Sequence, residues 1–263
     1  MYIICCIVAF LACIIGKICG MGGGVIIKPV LDAMGLMEVS AINFLSGCTV
    51  IGMTCWSVGK SVLKRESQID LRVSTPLAIG AAIGGLIGKQ LFSMVARCFD
   101  DVNTAGGVQA LLLLAATLAT LLYTVNRKRL PMLRVRQQGA CLLIGLALGT
   151  LGTFLGIGGG PFNMAVLYFF FSMSTKVAAQ NSLYVILISQ SAGIAATALG
   201  DGLPAVSPLI LAGMVLCGII GGEVGGRINR QLAEQQATRL LEGAMLLVMA
   251  ICCDNMYAFF GTS

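Results

Sequence analysis

Two glycine clusters of one form, Gly20-Met21-Gly22-Gly23-Gly24 and Gly156-Ile157-Gly158-Gly159-Gly160, lie 136 residues apart, each inside a long apolar stretch. Each glycine weakens a helix by about 1 kcal/mol relative to alanine, so four in five positions end a continuous helix. The surrounding chain is too apolar for water: of 263 residues 57% are hydrophobic and 11% charged, where soluble domains carry about 25% charged residues. Irregular backbone at membrane depth persists only where protein or a water-filled cavity surrounds it. The clusters therefore predict two broken helices enclosed within an all-α polytopic membrane protein.

Apolar runs at 42–59, 73–95, 105–125, 178–199, 206–226 and 240–260 each approach the roughly 20 residues that a span needs. Two further apolar regions, 3–36 and 139–175, are the ones split by the glycines. Residues 1–16 imitate the core of a signal peptide but show no basic leader and no A-x-A site, and read as mature structure. Eleven cysteines are scattered through apolar runs without a C-x-x-C pair, which argues against a metal site or disulfide framework. The chain contains no histidine, which removes His-based triads and the usual pH switch. Without histidine a carboxylate would have to carry any proton-coupled step; no cofactor motif and no ATP-binding P-loop is present, which points to an ion or substrate gradient as the energy source.

Beyond the glycine clusters the two halves run in register at a separation of 138. Ala41-Ile42-Asn43 matches Ala179-Gln180-Asn181, the ladder Gly80, Gly84, Gly88 matches Gly218, Gly222, Gly226, and Lys89 matches Arg227. Residues 1–125 and 139–263 thus form two repeats, joined by a basic linker, 126–138. Short cytoplasmic loops carry the positive excess. If each broken region folds as a hairpin, each half contributes a hairpin plus three spans and the halves are inverted. The loops 60–72, 126–138 and 227–239, with Lys176, then place thirteen of the seventeen basic residues in the cytoplasm. Asp100, Asp101, Asp201 and both termini fall outside. If each broken region crosses once, the halves are parallel and only nine basic loop residues remain inside. Charge favours the inverted arrangement, which many secondary transporters share.

The duplicated glycine stretch resembles the hallmark of the sulfite exporter TauE/SafE family of membrane permeases, roughly G-x-G-G-G, apolar residues and P-x-L. The first copy continues Val25-Ile26-Ile27-Lys28-Pro29-Val30-Leu31 and departs at Lys28; the second continues Pro161-Phe162-Asn163-Met164-Ala165, with the proline moved next to the glycines. A later T-S-like element is replaced by Asn43-Phe44 and Asn181-Ser182. The resemblance covers nearly the whole chain. It implies a transporter of small sulfur-containing anions such as sulfite, sulfonates and sulfoacetate-like compounds, in a bacterial inner membrane. A carboxylate or other small-anion permease, or a channel-like anion pore, is the alternative on the same scaffold.

The candidate site is built around the breaks. Helices starting after Gly22, Gly23, Gly24 and after Gly158, Gly159, Gly160 would aim free N–H groups and a positive dipole end at an oxyanion; close helix packing is the competing use of these glycines. Lys28 would add charge inside the membrane, or else pair with Asp32 four residues on. Asn43 and Asn181, with Ser46 and Ser182 beside them, would donate to an oxyanion or cap their helices. Asn163, Gln180 and Gln190 would line the path or bond between helices. Lys17 reads first as a snorkelling cation. The glycine ladders read as packing surfaces, with Lys89 and Arg227 at their ends. Glu223 is the carboxylate best placed for proton coupling, against a plain pair with Arg227. A thiol enzyme using Cys19 is disfavoured, because no histidine is present to activate it and Leu155 holds the matching place. The expected partners are a small anion and the lipid bilayer, not nucleic acid.

Overall fold

The structure, a computed structural model, describes residues 2–35, 37–96, 102–126, 133–155, 160–199 and 204–261, with backbone alone at 93, 96, 102–110 and 254–261. Gly156 to Gly159, residues 127–132 of the linker, and Asp100, Asp101 and Asp201 lie outside the described residues. The described elements are all helical. Five precede the linker: α1 (Tyr2–Cys19), α2 (Gly24–Ala33), α3 (Val39–Leu63), α4 (Leu71–Ala96) and α5 (Val102–Asn126). Five follow it: α6 (Gln138–Phe154), α7 (Gly160–Phe171), α8 (Thr175–Leu199), α9 (Pro208–Gln231) and α10 (Glu234–Gly261). Each half is a longer helix, a short one and three long ones, with the apolar runs falling in the long helices.

Among the described residues six helices are long and apolar enough to cross a membrane: α1, α3, α4, α8, α9 and α10. The chain is a multi-pass membrane protein. The ten residues of α2 span about 15 Å, half of a hydrocarbon core of about 30 Å. Outward side chains suit lipid, with Leu143, Leu151 and Leu216 all more than half exposed. Inside, Ile27, Leu31, Leu45, Met53, Met164, Tyr168, Leu183 and Met214 are buried.

The end of α1 is a local consequence of its glycines. The Met21 and Gly22 N–H groups both donate to the Gly16 carbonyl, at 3.1 and 3.3 Å, and Gly20 has φ +68°. This is the left-handed helix stop for which glycine is the usual residue. Gly22 repeats the left-handed turn at φ +70°, so the chain folds back on α1. A Cβ on Gly16 would lie 2.5 Å from the Gly22 carbonyl carbon, and one on Gly23 would lie 2.7 Å from Cys13 Sγ.

Packing crosses between the halves. The α1 helix packs on α9 and α6 on α4; α3 packs on α9 and α8 on α4; α3 meets α8 and α5 meets α10. Every one of these contacts has its counterpart when the halves are exchanged. Small residues make the closest of them, as van der Waals contact is what joins helices in lipid. A Cβ on Gly84 would strike the Leu146 carbonyl of α6, and one on Gly149 the Ala81 carbonyl of α4. In the counterpart, Gly221 faces the Phe10 carbonyl and Gly225 the Ile14 carbonyl of α1. The 138 register is therefore one residue off in α9: the partners of Gly84 and Gly88 are Gly221 and Gly225, whereas Gly218 and Gly222 face Thr49 and Met53 of α3.

The described end of the linker is tied down. Leu133 N–H donates to the Phe169 carbonyl at 2.7 Å, Val135 N–H to the Phe170 carbonyl at 2.9 Å, and the Ser172 hydroxyl to the Leu133 carbonyl at 2.9 Å. The end of α7 is thereby held from the linker.

Candidate functional site

The start of α7 meets the first break. Gly160, the first residue of α7, lies against Val25 and Met21, such that a Cβ there would sit 2.8 Å from the Met21 carbonyl oxygen. One turn on, Met164 reaches back to Gly20, with Sδ 3.0 Å from where a Gly20 Cβ would be. Gly160 and Met164 share one helix face at i,i+4, and that face is the one turned to the first break.

Helices α3 and α8 close round the same place. Ser46 and Val50 stand beside Gly24, and Val50 and Ile186 beside Gly22. The Ser182 hydroxyl donates to the Gly20 carbonyl at 2.5 Å, so the first half's break is held by a residue of the second half. Ala179 packs on the same glycine. Gln190, one turn beyond Ile186, lies near Gly47 of α3. The start of α2 has no side-chain cap: Gly23 occupies the N-cap position, and its carbonyl accepts from Ile26 and Ile27. The first N–H groups of a helix have no partner within it, and they form its positive end.

Several expected residues therefore gather: Gly22, Gly23, Gly24, Ser46, Gly160, Ser182 and, one turn away, Gln190. Lys28 follows on α2, half-buried, and Asp32 on the next turn has a buried Oδ1 without a hydrogen-bond partner. Asn163, between Gly160 and Met164, is 3% exposed, and its Oδ1 is buried without a partner. Gly158 and Gly159 lie outside the described residues. Asn43 is exposed at the start of α3, one turn before Ser46.

Asn181 has a different occupation. Its Oδ1 accepts from the Asp70 N–H at 2.9 Å and the Ser74 hydroxyl at 2.6 Å. Its Nδ2 donates to the carbonyls of Gln68 at 3.1 Å and Val177 at 2.8 Å. Gln180 adds a bond from the Gln68 N–H at 2.9 Å. The whole amide of Asn181 fastens α8 to the α3–α4 connection, leaving no donor for an oxyanion.

Glu223 is likewise engaged. Its carboxylate takes an ion pair from Lys60, the Trp56 indole N–H at 3.2 Å and Arg227 Nε at 3.2 Å. The Arg227 pair at i+4 is as the sequence suggested, but the partners Lys60 and Trp56 come from α3. Arg230 pairs with Glu66 at 3.1 Å, and Lys17 lies along Gly225 and Gly226. This charged set joins α1, α3 and α9, with Lys17 one turn before the first break. Sequence reasoning missed Trp56 and Lys60 although they lie one turn apart as an amphipathic pair on α3. It also missed Ile186 and Val50, whose apolar character gives no signal. Cys19 is fully buried, and no cluster suited to a metal occurs among the described residues.

A first helix broken at its glycines, and met there by the start of α7, belongs to a multi-pass membrane protein with a broken helix. A family model described as sulfite exporter TauE/SafE matches residues 5–252. The chain belongs to that family of membrane transport proteins. It is also similar to the probable membrane transporter protein YunE of Bacillus subtilis (strain 168), with 22% identity over 273 aligned residues, 94% of this chain and 95% of the relative. No solved structure matches.

Proposed function

We propose that this protein is a secondary transporter of small sulfur-containing anions, of the sulfite, sulfonate or sulfoacetate kind, working by alternating access around the two breaks. The observation that carries the reading is the meeting of Gly160 with Met21 and Val25 beside the uncapped start of α2. Free N–H groups at a helix start suit an oxyanion, and the α2 helix delivers them among Ser46, Ser182 and Asn163. Lys28 supplies positive charge one turn further. Gly158 and Gly159 would do for α7 what Gly22 to Gly24 do for α2. The family supplies the substrate class.

On this reading residues 1–125 and 139–263 are inverted repeats about the linker 126–138, in a bacterial inner membrane with both termini outside. An ion or substrate gradient drives transport. Glu223, held by Lys60, Trp56 and Arg227, serves chiefly to join α3 to α9.

The test is counterflow in proteoliposomes with sulfite, sulfoacetate, taurine and matched carboxylates, comparing the wild type with Gly23→Val. Saturable exchange of a sulfur oxyanion that disappears in Gly23→Val is the expected result. Exchange of carboxylates alone would remove sulfur from the reading, and unsaturable conductance would replace the carrier with a pore.

A further inference from the structure

We infer that the transported anion carries a hydrogen-bond donor beside its oxyanion, and that Asn163 receives it. The inference rests on the anion-transporter reading above and narrows its substrate.

Three positions of α7 define the geometry. Gly160 and Met164 both touch the first break, and Asn163 lies on the same side of the helix at i+3 from Gly160. Asn163 is buried to 97%, and its Oδ1 meets no donor. Buried polar atoms in folded proteins are paired almost without exception, so an orphaned one calls for a specific partner. Other amides near the breaks do not share this state: Asn181 is wholly satisfied by protein groups, and Gln180 holds Gln68.

The two chemical halves of the site then face different parts of one ligand. The start of α2, without a side-chain cap, offers N–H donors to an oxyanion. Asn163 offers an acceptor, which no oxygen of a fully ionised sulfonate or carboxylate can satisfy. A hydroxyl or ammonium group one or two carbons from the oxyanion fills both. The ligand class is thus a short hydroxy- or amino-substituted sulfonate, in preference to a plain alkyl sulfonate of the same length.

The experiment is competitive counterflow in proteoliposomes with ethanesulfonate, 2-hydroxyethanesulfonate and 2-aminoethanesulfonate, and in parallel propionate and 3-hydroxypropionate. The wild type is compared with Asn163→Leu and Asn163→Asp. A roughly 10- to 100-fold preference in kcat/KM for the donor-bearing compound is expected, the range that one buried hydrogen bond supports. Asn163→Leu erases that preference by slowing the donor-bearing compound alone. Asn163→Asp, which keeps the acceptor, retains it and tilts it toward the ammonium compound. Equal transport of ethanesulfonate and 2-hydroxyethanesulfonate by the wild type overturns the inference even if both variants fail to fold. So does a preference that survives Asn163→Leu, or a preference for ethanesulfonate, as an amide presenting Nδ2 instead would give. A donor preference confined to the carboxylates keeps the role of Asn163 and removes sulfur from the broader reading; sulfonate transport without donor preference does the reverse.

Discussion

Changing Asn181 to aspartate preserves the shape of the side chain and its acceptor oxygen while removing both amide donors. The bonds from the Asp70 N–H and the Ser74 hydroxyl survive. Those to the Gln68 and Val177 carbonyls are lost and replaced by oxygen facing oxygen. Val177 belongs to α8 and keeps a helical N–H, so most of the cost falls at Gln68, in the irregular segment before α4. With about 1–3 kcal/mol for a buried group left unpaired, and the Gln68 bond only part-buried, Asn181→Asp should destabilise by about 1–3 kcal/mol. Asn181→Ala instead strands the Asp70 N–H and the fully buried Ser74 hydroxyl and should cost about 2–4 kcal/mol. Hydrogen bonds between spanning helices average only about 0.6 kcal/mol, because the unfolded reference also finds partners in lipid. The larger figure is expected here because two of the four bonds go to backbone of a non-helical connection. Denaturant titration of the purified protein in mild detergent measures the loss, and counterflow in liposomes measures transport by the folded fraction. Asn181→Ala within 0.5 kcal/mol of wild type, with a raised KM for the anion, would refute the clamp and return Asn181 to the substrate.

Gly149→Ala should destabilise by about 1–3 kcal/mol, because its Cβ would meet the Ala81 backbone and α4 and α6 would have to part; the same titration reads it. Gly225→Ala should cost clearly more than Gly226→Ala, whose Cβ meets nothing nearer than Lys17 Cε at 3.6 Å; the reverse order would restore the 138 register. Glu223→Gln should cost no more than about 1 kcal/mol, since the Glu223, Lys60 and Arg227 side chains are all partly exposed and pairs that are not fully buried contribute little. The pH profile of transport should be unchanged in that variant, and a flattened profile would make Glu223 the proton carrier. Cys19→Ala should retain transport in the counterflow assay, since the thiol is buried within the packed break; complete loss with an intact fold would reopen thiol chemistry.

The first break was legible because a cluster of four glycines has few other uses in an apolar run, and the left-handed Gly20 and Gly22 bear out the physical reason. The helix order was legible from hydropathy alone. Partners separated by more than a hundred residues were not. Asn181 at a helix start could bind, cap or clamp, and only the position of residues 68–74 selects the clamp. Glu223 offered one visible partner at i+4, while the ion pair from Lys60 depended on how α3 lies along α9. The glycine ladder fixed that close packing would occur but not which face of α9 would meet α1, because glycines in α9 occupy several faces and a rotation of one residue changes the neighbour.

The crossed packing of α1 on α9 and α4 on α6 bears on how the chain is made. Synthesis delivers the first half into the bilayer before the second exists, so the glycine face of α4 must wait for Gly145 and Gly149 of α6. The groove of α1 that receives Gly221 and Gly225 waits longer still. Until then α1, α3, α4 and α5 lack their closest neighbours and present bare seams to lipid. A chain stopped after residue 125 would therefore lack the partners of α1, α3, α4 and α5, and the last of these seams closes only when α10 reaches α5.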